Sequence, residues 1–441
     1  MLKRELRLFH WLCAALLCIG GGLAQAAPEI QHWRTDNGAR VYYVPAPELP
    51  MVDVRVIFDA AGARDKIPGT ALMTNALLAE GAGDMDADEI ADAFAAVGAQ
   101  FSTSSHQDMS VVSLRSLTRP ELLDPAVATA TRVISQPTFS KQALERERKR
   151  LLIALQAEKQ SPGAIASDAF FAAAYGDHPY ATDANGTEDS VKQIKRKHLV
   201  EHHRRYYVGN NAIIAIVGAV DREQAAQLAE TLLGRLPAGE AAPPLPKVEP
   251  LKQAQLIKKD FPSSQTHLLV GQPALRRGDD DYFPLYVGNH VLGGSGLVSQ
   301  LSEEIRDKRG LAYSSYSYFS PMTRRGPFRM GLQTRNDQAE EALDILKQTL
   351  VKFMQNGPSG DELEAAKKNI TGGFALNLDS NSKIIENIAM IGFYELPLDY
   401  LDSFTDNVDA VTIEQIKQAF ARHLDPDTMV TIMVGGEAEG S

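Results

Sequence analysis

Two stretches of this chain end in the same way, and that repetition restricts the fold more than any other feature. Residues 212–217 form an unbroken apolar run closed by Gly218, and residues 429–434 form a second run, apolar except for Thr431, closed by Gly435. Short apolar runs bounded by glycine read as buried strands. Each comes last in a series of elements laid out in the same order. In the first series, alternation at Val52, Val54, Val56 and Phe58 marks a half-buried strand. Gly69 then precedes a helical stretch through Leu78, a second helix covers 87–97, a strand covers 110–117, and long helices cover 120–159. In the second series a strand lies around 268–270, and Gly296 opens a helix that reaches Arg306. Strands at 312–318 and 328–334 precede helices near 338–355 and 361–376.

Between the series lies a segment containing Pro237, Pro243, Pro244 and Pro246, which neither a helix nor a central strand can accommodate. The expectation is an α+β chain of two homologous halves, each a mixed or antiparallel sheet packed with helices. The first half spans 27–236, a proline-rich linker 237–256, and the second half 257–441. A chain of 441 residues is too long for one ordinary core, which agrees with two.

Residues 1–26 have the order of an export signal. Lys3, Arg4 and Arg7 precede an apolar run over 8–23, and Ala24-Gln25-Ala26 offers a small-residue cleavage site. His10 and three consecutive glycines make the run a poor membrane anchor, so no stable span is expected after cleavage. The expected location is periplasmic or secreted. Cys13 and Cys18 both fall inside the signal, which leaves the mature chain without a thiol, a disulfide or a cysteine metal ligand. Cleavage removes three positive charges and one negative, taking the formal charge from −11 to −13. That balance argues against a nucleic-acid partner and is compatible with basic peptides.

Three separated phrases carry a resemblance. The first is Phe58-Asp59-Ala60-Ala61-Gly62-Ala63-Arg64-Asp65 followed by Gly69. The second is Tyr175-Gly176-Asp177-His178-Pro179-Tyr180, then Gly186-Thr187 and His203-Arg204-Arg205-Tyr206-Tyr207. The third is Gly293-Gly294-Ser295-Gly296 leading into Glu304-Ile305-Arg306-Asp307-Lys308-Arg309-Gly310-Leu311-Ala312-Tyr313. In this order the chain resembles the pitrilysin/insulinase family of zinc peptidases over nearly its whole mature length, which implies a clam-like peptidase subunit.

Active members of that family carry His-x-x-Glu-His on the helix after Gly69. Two imidazoles one turn apart hold zinc, and the glutamate serves as general base. Here the three positions are Leu72, Asn75 and Ala76. The family's third ligand, a glutamate on a later helix, would fall near 152–154, where Leu152, Ile153 and Ala154 stand and Glu158 is a turn away. The resemblance therefore implies no catalytic residue and no metal in this chain, with zinc in a presumed partner.

His198-Leu199-Val200-Glu201-His202 matches the inverted motif by letter, but it lies on a helix rich in lysine and arginine that leads into Tyr206-Tyr207. A cationic setting disfavours a dication. His178 reads as a structural loop element, His106 as unremarkable, and the run Tyr313, Tyr316, Tyr318, Phe319 as strand packing.

Arg306 and Tyr313 have the spacing of the family's substrate-binding pair, which reaches from the second half of an assembly into the first half's active site. A guanidinium and a phenol suit peptide carbonyls and a developing oxyanion. Their alternative roles are a helix-end cation and a plain strand aromatic. Gly293, Gly294 and Gly296 resemble the substrate-contacting loop of the mitochondrial processing peptidase's non-catalytic subunit, or else form a turn that needs positive φ. The expected function is that of a non-catalytic subunit which supplies Arg306 and Tyr313 to a zinc-bearing partner in a heterodimer that cleaves a peptide substrate. The alternatives are a self-sufficient zinc peptidase using His198, Glu201 and His202, or an assembly protein of the same shape.

Overall fold

The computed structural model describes residues 29–436; the segment read as an export signal, with both cysteines, lies outside them. Among the described residues no helix is long and apolar enough to cross a membrane.

The first sheet contains β1 (Gln31–Arg34), β2 (Arg40–Pro45), β3 (Met51–Phe58), β4 (Gln100–Ser105), β5 (Ser110–Leu117) and β6 (Ala212–Gly218), in the order β1-β2-β6-β3-β5-β4. The second contains β7 (Gln255–Lys259), β8 (Ser263–Leu275), β9 (Ser315–Phe319), β10 (Gly326–Arg335) and β11 (Val430–Gly436), in the order β7-β11-β8-β10-β9. Leaving β1 aside, the two orders are the same. The directions repeat as well. β2 runs parallel to β6 as β7 does to β11, and the remaining pairs are antiparallel in both sheets.

The closing glycines are equivalent in packing. A Cβ on Gly218 would sit 2.6 Å from the Val52 Cα, and one on Gly435 would sit 2.6 Å from the Thr266 Cα. No side chain fits where those neighbouring strands pass so closely.

On one face of the first sheet pack α1 (Thr70–Ala76), α2 (Ala87–Ala96), α3 (Pro120–Ser135), α4 (Lys141–Glu158) and, later in the chain, residues of Arg196–Tyr206 and Arg222–Leu233. The opposite face is covered from the other half. Isoleucines 385, 388 and 391, on the helix Asn381–Phe393, bury against Ile57, Ile213 and Val217. The exchange is mutual: α5 (Pro162–Tyr175), from the first half, sets Ala166 and Phe170 against Leu269, Val430 and Ile432 of the second sheet. The sheets thus separate at the proline-rich stretch, but the cores do not.

That stretch is also more than a tether. Arg205 donates to the carbonyls of Glu240 and Ala241, Asn211 Oδ1 accepts from Ala242 N at 2.8 Å, and Leu245 and Val248 are buried. β7 begins at Gln255, inside the range read as linker. Two more elements differ from expectation. The expected strand at 312–318 starts only at Ser315, and the expected helix from Gly296 to Arg306 is a series of short turns.

Candidate functional site

Helix α1 carries Leu72, Asn75 and Ala76, the positions that the resemblance sets against the zinc motif, and none of the three is a usual zinc ligand. Leu72 is half-buried against the first core, as is Leu152 on α4, which packs beside α1. Asn75 is 1% exposed, and its amide is fully engaged. Nδ2 donates to the Ser104 and Val111 carbonyls at 2.7 and 3.1 Å, and Oδ1 accepts from the Tyr207 hydroxyl at 3.0 Å. Ala76 offers no ligand atom. Glu158 does not substitute for the missing glutamate. It accepts from Asn185 Nδ2 at 3.1 Å, and burial followed by the nearby Asp183 and Asp168 pushes its carboxyl up. The position has become a structural joint that ties α1 to β4 and β5.

Rebuilding the motif with Leu72→His, Asn75→Glu and Ala76→His should therefore unsettle the fold before it recruits metal. A glutamate at 75 would turn an acceptor toward two buried carbonyls that now receive hydrogen bonds. We expect a loss of about 3 kcal/mol or more and no zinc-dependent proteolysis. Thermal melting and metal analysis check this, and a stable variant holding one zinc would contradict it.

The second histidine motif is not assembled for metal either. His202, on α6 (Arg196–Tyr206), is buried, and its Nε2 lies 2.8 Å from the Ala60 carbonyl. His198 Nδ1 accepts from the Lys195 backbone N at 3.1 Å, and Glu201 is exposed. The helix uses one imidazole as a cap and the other as a core hydrogen-bond donor. Burial lowers His202 to about 4 and lowers His203 as well. Asp65 lies 3.9 Å from His202 Nδ1; burial pushes it up to about 8, although backbone N–H groups at the start of α1 pull it down.

A histidine held neutral in the fold takes up a proton on unfolding near pH 6.5. The His202 contribution to stability is therefore complete above that value and is lost as pH drops toward 4, by about 3 kcal/mol, while the raised Asp65 carboxyl, protonated in the fold and ionised on unfolding, contributes in the opposite direction over the same range. Denaturant unfolding at pH 7 and pH 4.5 reads the His202 part as a difference: between the two pH values the stability of His202→Gln should change less toward loss than that of the wild-type chain. An unchanged slope in the variant would contradict the assignment.

The second half presents a different picture. Ile305, Leu311 and Ala312 are buried in its core, and Thr334 Oγ1 donates to the Leu311 carbonyl at 2.6 Å, so the turn between them is anchored at both ends. Gly310 N bonds to the Arg306 carbonyl at 2.9 Å and closes it. Arg306, half-buried, lies at the start of this turn and Tyr313, exposed, directly follows its second anchor. The guanidinium carbon lies 5.3 Å from the ring centroid, and Tyr313 is 81% exposed. Tyr313 is thus a loop residue and not a strand aromatic. Among the described residues neither side chain has a hydrogen-bond or ion-pair partner, whereas the adjacent Lys308 and Arg309 are paired with Glu304.

The glycine-rich segment follows α8 (Tyr282–Asn289, with α7 at Arg222–Leu233). Of its three glycines only Gly296 has positive φ, at 64°. Gly293 is required for another reason: a Cβ there would lie 2.5 Å from Ser317 N on β9. Asn289 clasps the same residue, donating to the Ser317 carbonyl at 3.0 Å and accepting from its hydroxyl at 2.8 Å. The segment is pinned to β9 at one end and exposes Leu297 and Val298 at the other.

Beside it opens a cavity of about 480 Å³ lined by Arg277, Tyr282, Tyr286, His290, Tyr316 and Tyr318 along with the glycines. Arg277 follows the end of β8 in a plain Arg276-Arg277-Gly278 run with no motif spacing, so only the fold reveals its place.

The second phrase, around His178, joins the halves. His178 Nδ1 accepts from Tyr180 N, and its Nε2 faces the Pro246 carbonyl at 3.1 Å. The buried Asp108 accepts from the Tyr180 hydroxyl at 2.8 Å and from Thr323 N of the second half at 2.8 Å. His106 is exposed.

Comparison with known proteins bears on the family of the chain. Residues 41–188 match the model of the insulinases, peptidase family M16, and residues 193–370 match that of the peptidase M16 inactive domain. The chain is 26% identical over 402 residues to the uncharacterized zinc protease YmxG of Bacillus subtilis, covering 90% of this chain and 95% of that one. It is 24% identical over 322 residues to the non-peptidase homolog YmxG of Helicobacter pylori, covering 72% and 73%. The crystal structure of a peptidase M16 inactive domain from Pseudomonas fluorescens superposes with a TM-score of 0.90 at 38% identity, over 93% of this chain and 98% of that one. With two sheets of one topology and family models matched in both halves, this chain belongs to the M16 (pitrilysin/insulinase) peptidase family as a member of the inactive type.

Proposed function

We propose that this chain is the non-catalytic subunit of a heterodimeric M16 peptidase, exported to the periplasm or secreted. Its second half offers Arg306 and Tyr313 to a peptide held in the zinc site of a partner of the same family. One contrast carries the proposal: the ligand positions on α1 have been absorbed into a buried hydrogen-bonded joint, while Arg306 and Tyr313 stand unpaired on an anchored turn. An exposed phenol beside a half-buried guanidinium, neither with a hydrogen-bond acceptor among the described residues and both on an anchored turn, suits a ligand that arrives from outside the chain. The phenol and guanidinium would donate to peptide carbonyls and to the oxyanion forming at the scissile one, and the chemistry at the metal would be the partner's.

The test is to purify the mature chain alone and together with a zinc-bearing family member from the same genome. The proposal expects co-elution as a one-to-one pair with one zinc per pair and none on this chain alone. Separate elution, or near-stoichiometric zinc on the isolated chain, would refute it.

A further inference from the structure

Among the described residues Arg277 is a cation without a counter-charge. Its Nε is shielded from solvent and has no hydrogen-bond partner. Among the described residues the guanidinium forms no ion pair. The neighbouring carboxylates are engaged elsewhere: Asp279 faces Arg276 and His423, and Asp281 is bound by Arg422 at 2.6 and 2.8 Å and by His423 at 3.0 Å. Two aromatic rings hold the guanidinium instead of an acceptor, with its carbon 5.4 Å from the Tyr282 centroid and 5.5 Å from that of Tyr394. Such contacts stabilise the cation but leave its buried Nε–H unanswered.

The same arginine lines the cavity beside the glycine-rich segment. The walls are two stacked tyrosine pairs. Tyr282 and Tyr286, from α8, lie 5.7 Å apart, and Tyr316 and Tyr318, from β9, lie 5.6 Å apart. Aromatic walls suit a flat or bulky apolar group. A guanidinium fork at the edge suits a carboxylate, which it can grip with two parallel hydrogen bonds. At about 480 Å³ the space admits one or two residues of a peptide and excludes a folded domain.

The geometry points to a recognition pocket for a peptide segment in which a carboxylate adjoins an aromatic or large aliphatic side chain, with Arg277 taking the carboxylate and the tyrosine pairs taking the side chain. This rests on the reading that the chain grips peptides, and it adds the class of peptide gripped. Two sources supply that chemistry, a free carboxyl terminus after an apolar residue and an internal acidic residue beside one.

The experiment uses the full mature chain, with fluorescence polarisation of three amino-terminally labelled decapeptides. One ends in Phe as a free acid, one is the same peptide amidated, and one is amidated but carries an internal Phe-Glu pair. The expected result is that the free acid binds about 10- to 100-fold more tightly than its amide. Arg277→Met should abolish that ratio, and Arg277→Lys should restore only part of it. Arg306→Ala should weaken acid and amide by the same factor. If the Phe-Glu peptide matches the free acid and depends on Arg277, the pocket takes acidic side chains as well; if it binds like the amide, the pocket reads chain termini.

Acid and amide binding equally to the wild-type chain would overturn this inference and leave peptide gripping intact. No binding by any of the three, with or without the zinc-bearing partner, would overturn both. Should Arg277→Met melt early, the acid-to-amide ratio of the wild-type chain decides alone.

Discussion

Tyr313→Phe, assayed in the proposed pair with a zinc-bearing family member, should lower peptide turnover on the order of 10- to 1000-fold while leaving the fold and the pairing unchanged. The ring stays, so the contact with Arg306 at 5.3 Å is kept, and only the hydroxyl is removed. Because that hydroxyl is exposed and has no partner among the described residues, the isolated chain should melt at the wild-type temperature. The whole effect would then belong to the complex. Arg306→Ala should weaken substrate binding as well, by about 1.5–3 kcal/mol, the contribution of a charged donor to a buried acceptor. Ser314→Ala, exposed beside Tyr313, is the control and should be close to neutral. If neither Arg306→Ala nor Tyr313→Phe alters turnover in a complex that still forms, the substrate-gripping role is excluded and an assembly role is left.

The largest stability effects should come from the helices that the halves exchange. Phe170 on α5 is fully buried among residues of the second sheet, and Ile388 of Asn381–Phe393 is fully buried against the first. Phe170→Ala should lose about 3–5 kcal/mol and Ile388→Ala about 2–5 kcal/mol, from lost burial and the cavity left behind. Since each residue completes the core of the opposite half, both substitutions should lower a single cooperative transition followed by calorimetry. Two separating transitions, one shifted by each substitution, would show that the halves unfold independently.

Much of this architecture was legible before any coordinates. Alternation over Val52 to Phe58 and the closing run before Gly218 correspond to β3 and β6, and the equivalent run before Gly435 corresponds to β11. Those strands are short, strongly apolar and punctuated by glycine, so local pattern decides them. The exchange of helices was not legible. The spacing of Ile385, Ile388 and Ile391 marks an amphipathic helix, but an apolar stripe does not say which of two similar sheets it will cover. The turn at Arg306 was misread for a related reason. Ala312 and Tyr313 continue the apolar run of β9 in composition, yet Leu311 and Ala312 are spent anchoring the loop, and the strand begins only once Ser315 pairs with Leu332.

The site divides in the same way. That the positions which the family resemblance aligns with its zinc motif hold Leu72, Asn75 and Ala76 could be read directly. The setting of Asn75 could not, because its partners come from β4, β5 and Tyr207, residues distant in sequence. His198 and His202 show the converse: their spacing matched a metal motif, and it took burial and hydrogen bonding to reveal that one ring faces the Ala60 carbonyl and the other caps its own helix. Arg277 carried no signal in its local sequence, and its place depends on tyrosines from three separate elements.

The most direct test of the central claim is a titration. The mature chain is added in increments to a fixed amount of a zinc-bearing family member from the same genome, and hydrolysis of a fluorogenic peptide is followed at each step. The account predicts negligible turnover by this chain alone, a rate that climbs with each addition, and a plateau at one chain per zinc subunit. Hydrolysis by this chain without a partner, or a zinc subunit whose rate is the same at every addition, would contradict it.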